Sequence, residues 1–305
     1  MAALNTSPSG RYRICVNSSA WKENEGNEYE RALALVSEEE QKRISKFYFR
    51  KDAKTALIGR LILNTMVSKA AKVRNSEIVW RRTDKGKPYL DQDWWDEVSE
   101  DTEFAPLSYN ISHSGDWVVG ACELNTPVGI DVNDYGIRPN CKIDFDADTD
   151  DDIDEHHKIL KKYFVNFKQT FSPPEAEYMK KIQFDSAESQ LIEFSRFWTL
   201  KESFVKVDGF GFSFDVSRLH FDFSRCPYKD IPRHPTSLNT TPISVIKDGT
   251  DVTHEWTFEQ FTLDRNHLAT VALHTVDKIH SSSLHPIPVT YLQPSDLITY
   301  LESTD

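Results

Sequence analysis

Apolar residues recur with helical spacing in several stretches of this chain and gather into short strand-like runs between them. Ala53, Leu57 and Leu61 form one row and Ile58, Ile62 and Met66 an adjacent one. This pattern predicts a helix over about Asp52–Lys72, with Arg and Lys on much of its other side. Ahead of it, Ser37-Glu38-Glu39-Glu40 reads as a capping box that opens a shorter helix continued by Ile44 and Phe47. A second set of helices is expected after Ser172-Pro173-Pro174-Glu175, where proline is tolerated in the first turn, and over Ala187–Val207, which ends at Gly209-Phe210-Gly211.

Strands are expected at Arg11–Val16, Ile78–Arg82, Ser108–Ser112, Asp116–Glu123 and Val128–Val132, then at Ser213–Phe223, His254–Leu263 and Leu268–His274. Residues 224–250 are rich in Pro, Ser and Thr and read as a loop. Asn125-Thr126-Pro127 reads as a connector. The expected organisation is an α+β chain of two similar halves, residues 1–126 and 127–277, each a long helix followed by short antiparallel strands, with a cleft between them. No sequence repeat is detectable, so the duplication is read from element order alone. Residues 278–305 are expected as a tail that packs or frays.

Composition narrows the class. The 305 residues are 39% apolar, 12% aromatic and 28% charged, a globular balance that excludes a collagenous or wholly disordered chain. The 36 Lys and Arg against 48 Asp and Glu give a formal charge of −12, which argues against a dedicated nucleic-acid binder. That average is uneven. Residues 144–155 hold eight acids and no base, whereas Lys42–Lys87 holds fourteen bases and three acids. Cys15, Cys122, Cys141 and Cys226 have no metal-site spacing and are few, as suits a reducing compartment. No signal-peptide core and no apolar run of membrane-spanning length is present, so a cytoplasmic protein is expected.

Four clusters carry candidate chemistry. Arg81-Arg82-Thr83-Asp84-Lys85-Gly86-Lys87-Pro88 combines cationic heads with a glycine turn, a combination that suits a phosphate and equally describes a solvated basic hairpin. Asn110-Ile111-Ser112-His113-Ser114-Gly115 places an amide, hydroxyls and an imidazole at a strand end, without the surroundings of a nucleophilic serine. Asp131 in Gly129-Ile130-Asp131-Val132 ends an apolar strand, where an acid needs a partner or serves as a turn cap. In Trp198-Thr199-Leu200-Lys201-Glu202-Ser203-Phe204-Val205-Lys206, Trp198, Glu202 and Lys206 share one helical face, so Glu202 and Lys206 lie beside an aromatic rather than in open solvent. Asp131 and Glu202 together suit Mg²⁺, with Lys206 and the 82–87 loop holding the remaining anionic charge.

The order RTDKGKP, NISHSGD, GIDV, WTLKESFVK resembles the 4′-phosphopantetheinyl transferases of the large monomeric type, over roughly residues 10–275. The resemblance implies a pseudo-twofold pair of α+β halves with coenzyme A in the cleft. It implies transfer of the 4′-phosphopantetheine arm to a serine of an apo carrier protein, a post-translational modification that releases adenosine 3′,5′-bisphosphate. Carried onto this chain, Arg43, Arg82, Thr83, Asp84, Lys85, Gly86, Lys87, Asn110, Ile111, Ser112 and His113 would contact coenzyme A, with His113 on a phosphate. Asp131 and Glu202 would ligate Mg²⁺. Asn110 through His113 would meet the nucleotide end of coenzyme A, and the segment Glu202, Ser203, Phe204, Val205, Lys206 would also bind coenzyme A, with Glu202, Lys206 and His113 as the catalytic groups. Many bacterial relatives carry a second acid two residues after the GID aspartate; Asn133 stands there in this chain, which excludes a base role at that position. Fatty-acid synthase, aminoadipate reductase and peptide synthetase carriers are the implied partner classes.

Three other readings compete. A nucleic-acid module using residues 42–87 lacks the interleaved aromatics of a stacking platform. A calcium loop at Asp144, Asp146, Asp148, Asp150 and Glu155 has Thr149 where the turn needs glycine, and Asp151 where these loops are usually apolar, so the stretch reads as a solvated acidic insertion. A P-loop enzyme lacks its phosphate-binding motif.

Overall fold

The computed structural model describes residues 10–22, 24–84, 86–100, 106–135, 168–181, 187–208, 214–275 and 287–305. The chain divides into two compact units. One is Met1–Val128 together with Ile287–Asp305; the other is Gly129–Pro286.

In the first unit a long helix covers a sheet. The helix Arg50–Ala71 buries both rows read from the sequence: Leu57, Ile58, Leu61, Ile62 and Met66 are all fully buried. They meet Ile14, Val16 and Val118 of the sheet in one core. The strands neighbour one another in the order Leu107–Ser114, Trp117–Leu124, Tyr12–Asn17, Ile287–Leu292. The first three are antiparallel neighbours, and Ile287–Leu292 joins Tyr12–Asn17 in parallel, with Arg13 opposite Val289 and Val16 opposite Leu292. Gly120 permits the close approach of helix and sheet, since a Cβ there would stand 2.5 Å from Ile62 Cγ2.

The stretch whose packing or fraying the sequence left open therefore packs from Ile287 onward: its strand completes this sheet, and the helix Pro294–Thr304 lies on the long helix, burying Leu297, Ile298 and Leu301. Two short helices, Glu28–Ala34 and Gln92–Glu100, appear where the sequence predicted none. The capping box at Ser37 forms only in part. Ser37 Oγ accepts the Glu40 amide at 3.4 Å, while the Glu40 carboxylate faces arginines.

The second unit repeats the motif of a helix on strands. Ala187–Asp208 packs on His267–His274, in a sheet ordered Trp256–Thr262, His267–His274, Val128–Asp134. Phe194, Phe197, Leu200 and Phe204 bury against Phe221, Phe258 and Ala272, and Phe204 stacks on Trp256 with ring centroids 3.8 Å apart. The Ser-Pro-Pro-Glu start folds as expected into the helix Pro173–Lys181. Its Glu175 is buried, accepts the amides of Ser172 and Phe221 at 2.8 Å each, and pairs with the buried Lys201 at 2.8 Å. Lys201 of the WTLKESFVK stretch is thus structural.

Residues 224–250 are not simply a loop. Ser244–Lys247 pairs with Leu219–Asp222 and, through a turn at Asp248-Gly249 with φ of 53° and 78°, with Thr250–Asp251. An Asp-Gly hairpin turn explains this strand inside a Pro/Ser/Thr-rich stretch. The expected strand before it is short, because Asp215 caps a turn of 3-10 helix at Val216–Arg218. Both units are α+β. The acidic stretch 144–155, Lys85 and Cys141 lie outside the described residues; Cys15, Cys122 and Cys226 are free thiols, all buried.

Candidate functional site

A cavity of about 220 Å³ in the first unit is lined by Arg43, Phe47, Arg60, Arg82, Ile111 and His113, among others. It gathers residues of the basic hairpin, the NISH strand and the two helices Glu38–Ile44 and Arg50–Ala71. Glycine at position 59 keeps its wall low, as a Cβ there would stand 3.2 Å from Ile111 Cδ1.

One buried carboxylate organises the bases. Glu40 is 4% exposed. It receives Arg43 Nη2 at 3.0 Å, Arg60 Nη2 at 3.1 Å and Arg82 Nε at 2.8 Å. Burial pushes the Glu40 carboxyl upward, but the neighbouring Arg60 and the bonds from Arg43 and Arg82 overcome it and hold the pKa at about 2. Burial also draws the Arg60 guanidinium below its usual pKa, against the pull of Glu40. Three guanidiniums on one carboxylate leave surplus positive charge, the condition for binding an anion.

The hairpin that carries Arg82 turns at Gly86, whose φ of +79° is accessible to glycine at little cost. Gly86 N–H donates to Thr83 O at 2.8 Å and Lys87 N–H to Thr83 Oγ1 at 3.1 Å, while Arg82 Nη1 donates to the Gly86 carbonyl. Thr83, Asp84, Gly86 and Lys87 are exposed at the tip, and Arg81 turns instead to Asp91 at 2.7 Å. Asn110 and Ser112 are buried in their strand, and His113 is exposed at the cavity. Glu40 and Arg60 were not singled out from the sequence. Glu40 reads as a cap and Arg60 as part of the basic side of its helix; the i,i+3 spacing of Glu40 and Arg43 is the one local signal that could have marked a pair.

The second cluster lies wholly in the second unit, where Val128–Asp134 crosses the helix Ala187–Asp208 at Gly129. Asp131 is 6% exposed and meets Lys206 Nζ at 2.6 Å; Lys206 also donates to Ile130 O at 3.1 Å. Along residues 191–206 of the helix, only Trp198, Glu202 and Lys206 are less than buried, so the face read from the sequence is its accessible row. Burial, then the negative charge of Asp131, raises the Glu202 pKa against the opposing pull of Lys206.

Ser203, Phe204 and Val205, expected from the resemblance to bind coenzyme A, have buried side chains. Ser203 Oγ donates to Leu200 O at 3.0 Å, and Phe204 and Val205 belong to the core. Asn133 donates its amide to Ser195 Oγ at 2.8 Å. Among the described residues no group of three or more His, Cys, Asp or Glu converges on one point. The negative charge of Asp131 disfavours a second charge on Glu202, and the hard oxygens of two such carboxylates are of the kind a divalent cation such as Mg²⁺ takes, with water or substrate completing the shell.

Residues 19–125 match the family described as 4'-phosphopantetheinyl transferase, N-terminal, and residues 151–272 match the 4'-phosphopantetheinyl transferase superfamily. The chain belongs to the 4′-phosphopantetheinyl transferase superfamily and is an enzyme of that class. It is 33% identical over 250 residues to the L-aminoadipate-semialdehyde dehydrogenase-phosphopantetheinyl transferase of Rattus norvegicus, covering 81% of this chain and 69% of that protein. The protein of the same name from Xenopus laevis is 28% identical over 287 residues, 93% of this chain and 82% of its own length. The 4'-phosphopantetheinyl transferase of Bacillus subtilis is 30% identical over 186 residues, 61% and 66% of the two chains. The nucleic-acid reading gains no support from these likenesses. No helix among the described residues is long and apolar enough to cross a membrane.

Proposed function

We propose that the chain transfers the 4′-phosphopantetheine arm of coenzyme A to a serine of apo carrier proteins of the fatty-acid synthase, aminoadipate reductase or peptide synthetase kind. The observation that carries this reading is the first-unit cavity, where Arg43, Arg82 and His113 meet from three separate segments. The pseudo-twofold pairing of the halves, with coenzyme A in a cleft, is part of the proposal; each role below is argued within one unit.

Arg43, Arg82 and Lys87 bind phosphate oxygens of coenzyme A, and His113 contacts a phosphate. Asn110 and Ser112, buried in their strand, set the path of His113. In the second unit Asp131 and Glu202 would hold Mg²⁺. When bound, the metal offsets negative charge on the pyrophosphate. Glu202 takes the proton of the carrier serine, directly or through a water, because it lies beside the site proposed for the pyrophosphate. The serine oxygen forms a bond to the phosphorus that bears the pantetheine arm, and the bond from that phosphorus to the bridging oxygen breaks. Adenosine 3′,5′-bisphosphate departs with the bond electrons. Lys206 orients Asp131 and meets the departing charge. Ser203, Phe204 and Val205 frame Glu202 and Lys206 rather than touch coenzyme A with their side chains.

The carrier approaches over an aromatic edge. Phe47, Tyr48 and Phe49 are 39%, 91% and 63% exposed, among bases that include Lys46 and Arg50, and Phe47 also lines the phosphate cavity. Exposed aromatics within a basic rim suit a partner with an apolar ridge and acidic surroundings. A monomer in the cytoplasm, with both halves in one chain, belongs to the same reading. Incubation of a panel of apo carriers with fluorescent coenzyme A tests it. Label on a carrier serine with release of adenosine 3′,5′-bisphosphate is the expected result, and no label on any carrier overturns it.

A further inference from the structure

Behind three bases that line the first-unit cavity lies an acid, which an anion site should avoid. Glu40 lies buried beneath Arg43 and Arg82, and Arg60, with its side chain 3% exposed, pairs with it from the long helix. On charge alone Glu40 opposes phosphate binding. Its geometry has the contrary effect. Arg43 places both Nε and Nη2 on Glu40 Oε2, at 3.1 and 3.0 Å, and Arg82 places Nε on Oε1 at 2.8 Å. A long arginine side chain loses rotamer freedom when it grips a ligand, and one already held loses less. Arg60 shares the Glu40 charge, so Arg43 and Arg82 are held without being fully neutralised.

We propose that Glu40 and Arg60 are positioning residues for coenzyme A, a buried pair that presets Arg43 and Arg82 for its phosphates. The inference rests on the assignment of those phosphates to this cavity.

The two effects of Glu40 predict opposite signs, which makes the pair testable. Glu40→Gln adds one unit of positive charge to the site, so electrostatics alone would tighten coenzyme A. Loss of positioning weakens it. Calorimetry with coenzyme A should give a Kd about tenfold higher in Glu40→Gln, the scale of one charge-assisted hydrogen bond. In steady state the change should fall on KM for coenzyme A, with kcat and KM for carrier within about twofold. A double variant, Glu40→Leu with Arg60→Met, removes both buried charges and avoids stranding either one. It leaves the net charge unaltered and should weaken coenzyme A similarly, with thermal melting confirming a folded protein. Tighter or unaltered binding in either variant, while Arg82→Ala weakens it, overturns the positioning role. Unaltered binding in both Arg82→Ala and Arg43→Ala overturns the assignment of the cavity itself.

Discussion

Gly129 and Ser203 touch so closely that a Cβ on residue 129 would lie 2.1 Å from the Ser203 carbonyl oxygen and 2.9 Å from Val207 N. The strand bearing Asp131 therefore lies directly on the helix bearing Glu202 and Lys206. Its glycine has a steric cause rather than a need for unusual backbone angles.

Gly129→Ala accordingly forces two backbones apart, and neither can yield as a side-chain tip would. Destabilisation of about 3 kcal/mol is expected, at the upper end for overpacking, read as a lower urea midpoint. The folded fraction should also lose transfer activity, because Asp131 is carried away from Lys206.

Asp131→Ala and Glu202→Ala should each abolish carrier labelling while far-UV circular dichroism stays unaltered. Lys206→Ala should cost about 3 kcal/mol of transition-state stabilisation, or roughly a hundredfold in kcat. A change confined to KM would assign Lys206 to ground-state binding. Near-normal labelling by both acid variants would remove the metal assignment.

The raised pKa of Glu202 links metal binding to protons. Mg²⁺ needs the carboxylate, so affinity should rise with pH through the Glu202 titration, and binding should release a proton there. Calorimetry in buffers of different ionisation enthalpy measures that release, which Glu202→Gln should eliminate. Without metal, the folded state holds this proton more tightly than the unfolded state. Stability should then fall as pH rises from the ordinary glutamate pKa to the raised one.

Glu40 has the reverse sign. Its pKa drops from 4.5 to about 2 on folding, so its contribution is complete above 4.5 and disappears as pH falls toward 2. Urea titrations across that interval should show a steeper loss of stability in the wild type than in Glu40→Gln.

Tyr48 is 91% exposed and meets the ring of the exposed Phe49 edge-on at 4.9 Å, so its removal should disturb the core little. Tyr48→Asp should raise KM for carrier severalfold through lost apolar contact and charge repulsion, with the Kd of coenzyme A and the melting temperature unaltered. Equal effects on both substrates would remove the aromatic edge from carrier docking. Lys51 and Lys54 are poorer probes, because Lys51 pairs with Asp116 at 2.9 Å and Lys54 donates to Trp21 O at 3.1 Å.

Local pattern made much of this legible. The rows through Leu57 and Ile58, the accessible line Trp198–Glu202–Lys206 and the glycine turn at Gly86 all follow from spacing or backbone chemistry within a few residues. What stayed hidden depends on distant partners. Arg60 faces inward because Glu40 lies there to receive it, and no periodicity marks a buried arginine as paired. Ile287–Leu292 has apolar positions but no sign of the strand it joins, since its partner lies at the other end of the chain. Ser244–Lys247 was obscured by Pro, Ser and Thr around it, although Asp248-Gly249 marked its turn.

The parallel pairing of Tyr12–Asn17 with Ile287–Leu292 sets an order of events during synthesis. The strand nearest the start of the chain is flanked on one side by Trp117–Leu124, available early, and on the other by a segment translated after all of Gly129–Pro286. Until that segment emerges from the ribosome, an apolar inner strand presents an open edge, the kind of surface to which other chains add. The second unit can be complete while the first is still waiting. A nascent or C-terminally shortened chain is therefore exposed to chaperone capture and aggregation at that edge.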